Sequence, residues 1–498
     1  MFPENDIIFT SVWPWILIAA SIALAVLEAF MKKRAVFAII SAVFTACAAV
    51  ALLLLGGSLC DMLLLILATL AVRLLFEIIE KTEKKAVKKL CLVVTLIACL
   101  GVLFFFKYYN FLAETLGWAI KAAGGGTYDF TLNLVLPVGI SFYTFQTLSY
   151  AIDVYRGTEK VEKDFALYCL FVTFFPQLVA GPIERPGNLI PQLREKNKLT
   201  AENARAGLWK MGVGFFKKIV VADLVAGYVN SVFNSPESAT GFGVVIASML
   251  FAVQIYCDFS GYTDIAIGCS RVMGIRLMKN FDRPYTSQTI KEFWNRWHIS
   301  LSTWLRDYLY FPLGGSRCSK SRHMFNIFIV FLASGIWHGA NWTFVLWGIL
   351  HGIYRIVGEL TYPLREKLWA KLGVDTKSAP IVILRRLNTF ALVCFSWVFF
   401  RANSLSDLGV LLSKLFTSWG SLPETISAMG LGAAAIIVTV LSIIVLDEFD
   451  ILTSREDSAL SVCTRGRTST VWCVWAVAVA WIMLLSVGGA SSFIYFQF

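Results

Sequence analysis

Residues 325–358 read FNIFIVFLASGIWHGANWTFVLWGILHGIYRIVG and carry a single charged side chain, Arg355. A helix that crosses a membrane needs about 20 consecutive apolar residues, so this run is long enough to be one. It contains His338, which has glycines at positions 335 and 339. A histidine is costly inside a membrane and usually faces a cavity or a partner there. The run therefore predicts a membrane helix in which His338 is either a catalytic base or a structural hydrogen-bonding residue.

The composition of the whole chain favours many such helices. Of 498 residues, 57% are hydrophobic and 15% are charged, against roughly 25% charged in soluble proteins. Disordered, collagen-like and disulfide-framework classes are excluded, and so is a set of soluble domains. We expect an all-α integral membrane protein, a polytopic bundle of about 11–13 spans with re-entrant and interfacial helices. The apolar runs cover about 7–30, 36–55, 60–79, 90–112, 131–154, 165–181, 206–232, 242–270, 325–358, 381–400, 408–446 and 470–489.

We expect these runs to form one membrane-embedded domain over residues 1–498. Within it, N-terminal spans occupy 1–157, a core occupies about 165–402, and C-terminal spans with a tail occupy 403–498. Basic clusters follow the first, third and fifth runs, and Lys and Arg collect in cytoplasmic loops. This pattern predicts an N-terminus outside the cell and explains the net charge of +11 without a nucleic-acid partner. The 11 cysteines form no CxxC pair, which predicts reduced, buried thiols and no metal site.

Segment 271–323 departs from the apolar pattern, with ten basic and three acidic residues. Within it, Lys291–Tyr310 has helical periodicity on two opposite faces. The apolar face carries Phe293, Trp297, Leu301, Trp304 and Tyr308, and the polar face carries Lys291, Asn295, His298, Ser302 and Arg306. We expect one amphipathic helix with His298 at the centre of its polar face. That face either meets water at the membrane surface or lines a cavity that receives a phosphate-rich donor.

Four other polar residues in or beside apolar runs have plainer explanations. His351 lies thirteen residues after His338 and, on one regular helix, on a different face, so we expect a structural role. His323 follows Arg322 and is expected to be solvated. Asp258 and Asp264 are expected to cap helices or to form buried ion pairs with nearby arginines.

Several motifs together identify a family resemblance. RWHISLSTWLRDYLYFPLGG (296–315) and WHGANWTFVLWG (337–348) closely resemble the paired-histidine motifs of membrane-bound O-acyltransferases. FFPQLVAGPIERPGNLIPQL (174–193), YCDFSGYTDIAIG (256–268) and FIYFQF (493–498) resemble the bacterial alginate O-acetyltransferase branch. Peptidoglycan O-acetyltransferases and teichoic acid D-alanyltransferases are similar. The resemblance covers nearly the whole chain.

The resemblance implies a helix bundle around a central tunnel, in the inner (plasma) membrane of a bacterium. It implies that His338 is catalytic and that His298 lies near the donor entrance. An acyl group, acetyl by preference, would move from a cytoplasmic thioester to a hydroxyl for O-acetylation of an exported polysaccharide. His338 would remove the hydroxyl proton. The residues expected to bind substrate or stabilise the oxyanion are Asn341, Trp337, Asn295, Ser302, Arg306 and Asp307.

The implied donor is acetyl-CoA or an acyl carrier protein, with no bound cofactor. The other implied partners are an extracytoplasmic acetyltransferase, the polysaccharide and the lipid bilayer. Tyr495 resembles the tyrosine of a short aromatic tail that relays acyl groups in the teichoic acid system, and it is equally well explained as an interfacial anchor. Two other functions stay open: D-alanyl transfer to teichoic acid, and proton-coupled transport through intramembrane His and Asp residues.

Overall fold

The computed structural model describes residues 79–432, except 127, 133, 135, 138, 179–180 and 196–198, together with 436–437 and 439–441. This part of the chain is helical and contains no β-strand, which confirms the predicted fold class. The α-helices are α1 (Lys85–Ala122), α2 (Ile140–Arg156), α3 (Phe165–Val172), α4 (Phe175–Leu178), α5 (Pro186–Arg194), α6 (Ala201–Phe215), α7 (Asp223–Phe233), α8 (Gly241–Val272), α9 (Ile290–Arg296), α10 (Ile299–Leu305), α11 (Lys320–His338), α12 (Trp342–Lys371), α13 (Ala379–Arg401), α14 (Leu405–Thr417) and α15 (Leu422–Ala428). The π-helices are Phe216–Ala222 and Arg306–Tyr310, and the 3₁₀ turns are Pro236–Ser238 and Pro284–Thr286.

Three helices in the described ranges, α1, α8 and α13, are long and apolar enough to cross a membrane. Helix α1 exposes large apolar side chains along its length, including Ile97 and Trp118. Such a surface favours contact with lipid over water. Several predictions concern residues outside the described ranges. They are the first three predicted spans, the final span, the N-terminus with its orientation, and Tyr495.

The chain divides into two compact units. The first lies within Met1–Leu208 together with Ala266–Met278, and the second lies within Trp209–Ile265 together with Lys279–Phe498. In the first unit α2 packs on α1, and α3 packs on α5. The second unit contains the hairpin of α11 and α12, against which α13 packs.

In the first unit, polar side chains of the 174–193 motif join distant segments. Glu184 is fully buried and accepts hydrogen bonds from the Asn188 amide, at 2.6 Å, and from the backbone N–H of Met278. The Gln192 side chain donates to the Arg276 carbonyl at 2.9 Å and accepts from its N–H at 2.8 Å. Burial raises the pKa of the Glu184 carboxyl group. These bonds give the motif a structural role.

In the second unit, both aspartates in α8 form buried ion pairs, but their partners are lysines rather than arginines. Lys218 lies 2.7 Å from Asp258 and 2.9 Å from Asp223. Lys217 lies 2.8 Å from Asp264. Both lysines belong to the first π-helix, which turns them towards α8. The pairs neutralise charges that would be very costly if buried alone.

The segment Lys291–Tyr310 is not the single amphipathic helix that its periodicity predicts. Helix α9 ends at Arg296, Trp297 is extended, and His298 has left-handed backbone angles (φ 43°, ψ 54°) before α10 begins. A π-helix then replaces regular turns from Arg306. Left-handed geometry is unfavourable for a residue with a Cβ, so tertiary contacts must hold His298 in it. The break turns His298 away from the predicted polar stripe and into the interior.

The run 325–358 is likewise divided, into α11 and α12. Asn341 caps α12 by accepting from the Thr343 N–H at 3.0 Å. A Cβ on Gly335 would lie 2.4 Å from the Phe344 carbonyl oxygen, so only glycine lets the two helices approach this closely. His338 is the last residue of α11. His338 and His351 are therefore on different helices, contrary to the single regular helix assumed from the sequence.

Candidate active site

The structure brings His298 and His338 together in the interior of the second unit. Their ring centroids are 6.4 Å apart, and their exposed fractions are 0% and 3%. They are 40 positions apart in the sequence, and each occupies a helix boundary. At the end of a helix, a side chain can take a direction that a continuous helix would not allow. His298 precedes α10 and His338 ends α11, and the two rings lie close together at these helix ends.

Aromatic side chains enclose the pair. The Phe259 ring packs edge-on against His298 at 4.7 Å, and Trp337 lies 5.9 Å from the same ring. Trp347 is perpendicular to His338 at 5.1 Å, and Phe400 lies 5.4 Å from it. Such walls lower the local dielectric constant, and electrostatic interactions inside them become stronger.

A glycine next to His338 is required by this enclosure. A Cβ on Gly339 would lie 2.2 Å from the Phe344 ring. Phe344 packs edge-on against Phe400 at 4.8 Å, and Phe400 in turn contacts His338. A side chain at position 339 would therefore displace a wall of the site.

Asn280 is attached to the segment that carries His298 by four hydrogen bonds. The backbone carbonyl of Asn280 accepts from the Ile299 N–H at 2.9 Å. Its side-chain Oδ1 accepts from the Ser300 N–H at 3.2 Å and from the Ser300 hydroxyl at 2.8 Å. Oδ1 also lies 3.1 Å from His298 Nδ1. These bonds account for the left-handed backbone of His298, since releasing it would break them.

The other nitrogen of His298, Nε2, is buried and has no hydrogen-bond partner within the described part of the chain. Most buried polar groups in proteins are paired. Burial lowers the pKa of His298 from 6.5 to about 3, because a charged ring would lose its hydration. At neutral pH His298 is therefore an uncharged imidazole with an available nitrogen.

His351 and His323 have complete sets of partners. Trp294 Nε1 donates to His351 Nδ1 at 3.2 Å, and His351 Nε2 lies 2.9 Å from the Ser396 hydroxyl. These bonds agree with the structural role expected for His351. His323 is not simply solvated, because it contacts the Tyr310 hydroxyl and Glu359, each at 3.0 Å.

The remaining predicted site residues fall into three groups. Only Trp337 contacts both histidine rings, at 5.9 Å and 5.0 Å. Both ends of the Asn341 amide are engaged, with Thr343 and with the Asn403 carbonyl at 3.0 Å. The others lie along α9, α10 and the second π-helix, where two are exposed and two are half-buried. The exposed pair is Asn295 and Arg306, and the half-buried pair is Ser302 and Asp307.

Three residues of the site were not among the predicted site residues: Asn280, Phe259 and Trp347. Phe259 lies in the motif at 256–268. Trp347 lies in the segment WHGANWTFVLWG, nine positions after His338. Its Nε1–H is buried, and the described residues provide no acceptor for it. Asn280 lies in the basic segment between α8 and α9, 18 positions before His298. Folding brings the two residues into contact.

Comparison with known proteins identifies the family to which this chain belongs. The sequence profile of the membrane-bound O-acyltransferase family matches residues 162–396, a range that contains both histidines. A probable alginate O-acetylase of Pseudomonas syringae is 37% identical over 379 residues, 75% of this chain and 70% of that protein. The chain belongs to the membrane-bound O-acyltransferase family. It is therefore an O-acyltransferase associated with membranes.

Two further relatives of this acyltransferase have different names. The peptidoglycan O-acetyltransferase of Helicobacter pylori is 37% identical over 355 residues, 66% of this chain and 65% of that protein. The teichoic acid D-alanyltransferase of Bacillus subtilis is 30% identical over 284 residues, 54% of this chain and 69% of that protein. The relatives thus share acyl transfer and differ in the acyl group and acceptor that their names state.

Proposed function

We propose that this enzyme moves an acetyl group from a cytoplasmic thioester towards an exported or cell-surface polysaccharide, where it becomes an O-acetyl ester. The observation that carries the proposal is the buried pair of histidines inside the aromatic enclosure. The names of two relatives support acetyl as the acyl group and a cell-surface polymer as the acceptor. The proposed location is a bacterial inner (plasma) membrane, with the N-terminus outside.

In the proposed reaction, His338 accepts the proton of the attacking hydroxyl as its oxygen bonds to the thioester carbonyl carbon. The resulting oxyanion collapses, the carbon–sulfur bond breaks, and the proton passes from His338 to the departing thiolate. His298 assists as a neutral ring: its Nε2 first accepts the hydrogen bond of the entering hydroxyl and orients it, and the hydroxyl then turns its single proton to His338 as attack begins. The 6.4 Å between ring centroids lets both rings border one reacting group.

For the oxyanion, we assign the donor role to Trp347 rather than to Asn341. The Asn341 amide is already used to cap α12 and to bond Asn403. The Trp347 ring lies against His338, and its N–H is available. A fixed donor of this kind stabilises negative charge as it develops in a site that excludes water.

The donor is proposed to approach from the basic segment 271–323. Arg317, Lys320 and Arg322 are exposed around the start of α11, whose last residue is His338. At 1.5 Å per residue, this helix joins the basic surface to the buried histidine over about 27 Å. Positive charge there complements the phosphates of acetyl-CoA or of an acyl carrier protein.

On the outer side, we propose that Tyr495 receives the acyl group as a phenolic ester and passes it to an extracytoplasmic acetyltransferase. Tyr495→Phe keeps the ring but removes the ester-forming oxygen. We expect this variant to accept donor at the cytoplasmic face and to stop transfer to the partner. Normal transfer by the variant would leave Tyr495 as an interfacial anchor only.

The proposed function is tested by supplying proteoliposomes of the full chain with CoA or a carrier protein that bears a labelled acetyl group. Covalent ester on protein or glycan is measured for the wild type and for His338→Ala. We expect the variant to fold and to lose transfer by at least about 10²-fold, the usual contribution of a general base. Transfer at the wild-type rate in His338→Ala would overturn the assignment.

D-alanyl transfer is the second candidate, because one relative is a teichoic acid D-alanyltransferase. The same proteoliposomes distinguish it: D-alanyl-labelled carrier protein would give ester where both acetyl donors give none. The proton-coupled transporter that the sequence left open is not supported, since family membership makes the chain an acyltransferase.

A further inference from the structure

The two fully buried histidines of the second unit have opposite hydrogen-bonding patterns. At His351, the N–H of Trp294 points to Nδ1, so Nδ1 is the acceptor and the proton is on Nε2. Ser396 receives that proton's hydrogen bond and donates its own to the Val393 carbonyl at 2.7 Å. Which ring nitrogen of a neutral histidine bears the proton is decided by its neighbours.

At His298, the neighbour is the Asn280 side chain, and its orientation is determined by Ser300. The backbone N–H of Ser300 is a donor only, so the amide atom 3.2 Å from it must be the oxygen. The amide nitrogen of Asn280 points the other way, towards the Thr263 hydroxyl at 3.4 Å. The atom 3.1 Å from His298 Nδ1 is therefore an acceptor, and a stable contact requires the proton on Nδ1.

We propose that Asn280 is a positioning residue for acyl transfer, whose side-chain oxygen holds His298 in the Nδ1–H tautomer and keeps Nε2 free of a proton. The same oxygen, through Ser300, maintains the left-handed backbone that points the ring into the site. Strained backbone of this kind persists only where its surroundings hold it, and it concentrates at functional sites. The inference rests on the proposed function for its catalytic consequence, whereas the tautomer itself is independent of it.

The tautomer decides what His298 does in the reaction. With the proton on Nδ1, Nε2 carries a lone pair and accepts the hydrogen bond of the entering hydroxyl, before that proton passes to His338. With the proton on Nε2, the ring would offer a donor at that position and could not accept the hydrogen bond of the hydroxyl. A partner behind an imidazole is known to contribute to catalysis through this choice of tautomer and orientation.

The first test is direct. Nitrogen-15 spectra of the full chain with labelled histidine, in nanodiscs, contain signals from four histidines. The His298 and His351 signals are assigned by their loss in His298→Leu and His351→Leu. We expect His298 as Nδ1–H and His351 as Nε2–H. An Nε2–H tautomer at His298 would overturn the proposal, whatever the outcome for His338→Ala.

The second test separates positioning from stability. We expect Asn280→Ala to lower kcat about 10- to 100-fold, measured per folded molecule with acetyl-CoA as donor, and to leave KM within about threefold. Asn280→Asp retains the acceptor oxygen and is expected to recover most of this loss. Asn326→Ala is the matched control, because Asn326 is equally buried but bonds the Gly315 carbonyl instead.

The control decides between the two explanations. If Asn326→Ala lowers kcat as much as Asn280→Ala does, or if Asn280→Asp recovers nothing, Asn280 has only a structural role. If Asn280→Ala does not fold, the comparison of Asn280→Asp with the wild type and the spectra of the wild type still test the proposal. If His338→Ala retains full transfer while His298 is Nδ1–H, the proposed reaction fails but the assignment to Asn280 stands.

Discussion

His298 and His351 are both completely buried in the second unit, and both rings contact tryptophans. At His351 each ring nitrogen has a partner, and the partners themselves are satisfied. At His298 one nitrogen is held by Asn280, and Nε2 has no partner among the described residues. Burial therefore does not separate the two histidines. They differ in that His298 has an incomplete set of hydrogen bonds on a backbone held in an unfavourable conformation, and its proposed catalytic role rests on this difference.

The contrast between the two histidines is tested most directly by replacing each of them with leucine. The largest expected effect is on the activity of His298→Leu. We expect His298→Leu to lower acetyl transfer about 10²-fold, since it removes the neutral acceptor beside His338. Its melting midpoint should fall less than that of His351→Leu, because Leu leaves no buried donor without an acceptor and Asn280 keeps its bonds to Ser300. Transfer near the wild-type rate would show that the unpaired nitrogen has no catalytic role.

His351→Leu should produce the opposite result. It leaves the buried Trp294 N–H without an acceptor, which costs about 1–3 kcal/mol of folding stability. Transfer per folded molecule should stay within about threefold of wild type, since among the described residues His351 contacts neither His298 nor His338 and packs on Trp347 instead. Denaturation in detergent and the proteoliposome assay measure the two effects, and a stable but inactive variant would contradict the structural assignment.

The smallest expected effect is a dependence of stability on pH. Burial lowers the pKa of His298 in the folded state from 6.5 to about 3, so protons bind more strongly to the unfolded chain. Stability contributed by the neutral ring is complete above pH 6.5 and is lost as pH falls towards the folded-state pKa. Between pH 7.5 and 5 we expect the wild type to lose about 1–2 kcal/mol more than His298→Leu. Equal losses in the two proteins would mean that His298 has an ordinary pKa.

The candidate site was only partly predictable from its motifs. The segments around His298 and His338 identified both residues, because their neighbours resemble a known family. The periodicity of Lys291–Tyr310 gave the wrong local structure at His298. Helical periodicity reports which side chains are apolar, and a two-residue break between α9 and α10 leaves the apolar positions compatible with one continuous helix.

The sequence by itself determined the class of protein: a helical membrane protein whose charges collect in a basic segment beside apolar runs that carry histidines. This follows from solvation, since a lipid environment requires long apolar helices and excludes unpaired charge. Only the tertiary structure decided which histidines meet. The meeting of His298 and His338 depends on a left-handed residue held by Asn280 and on close helix contact at Gly335. Such contacts join residues far apart in the chain, and no local pattern records them.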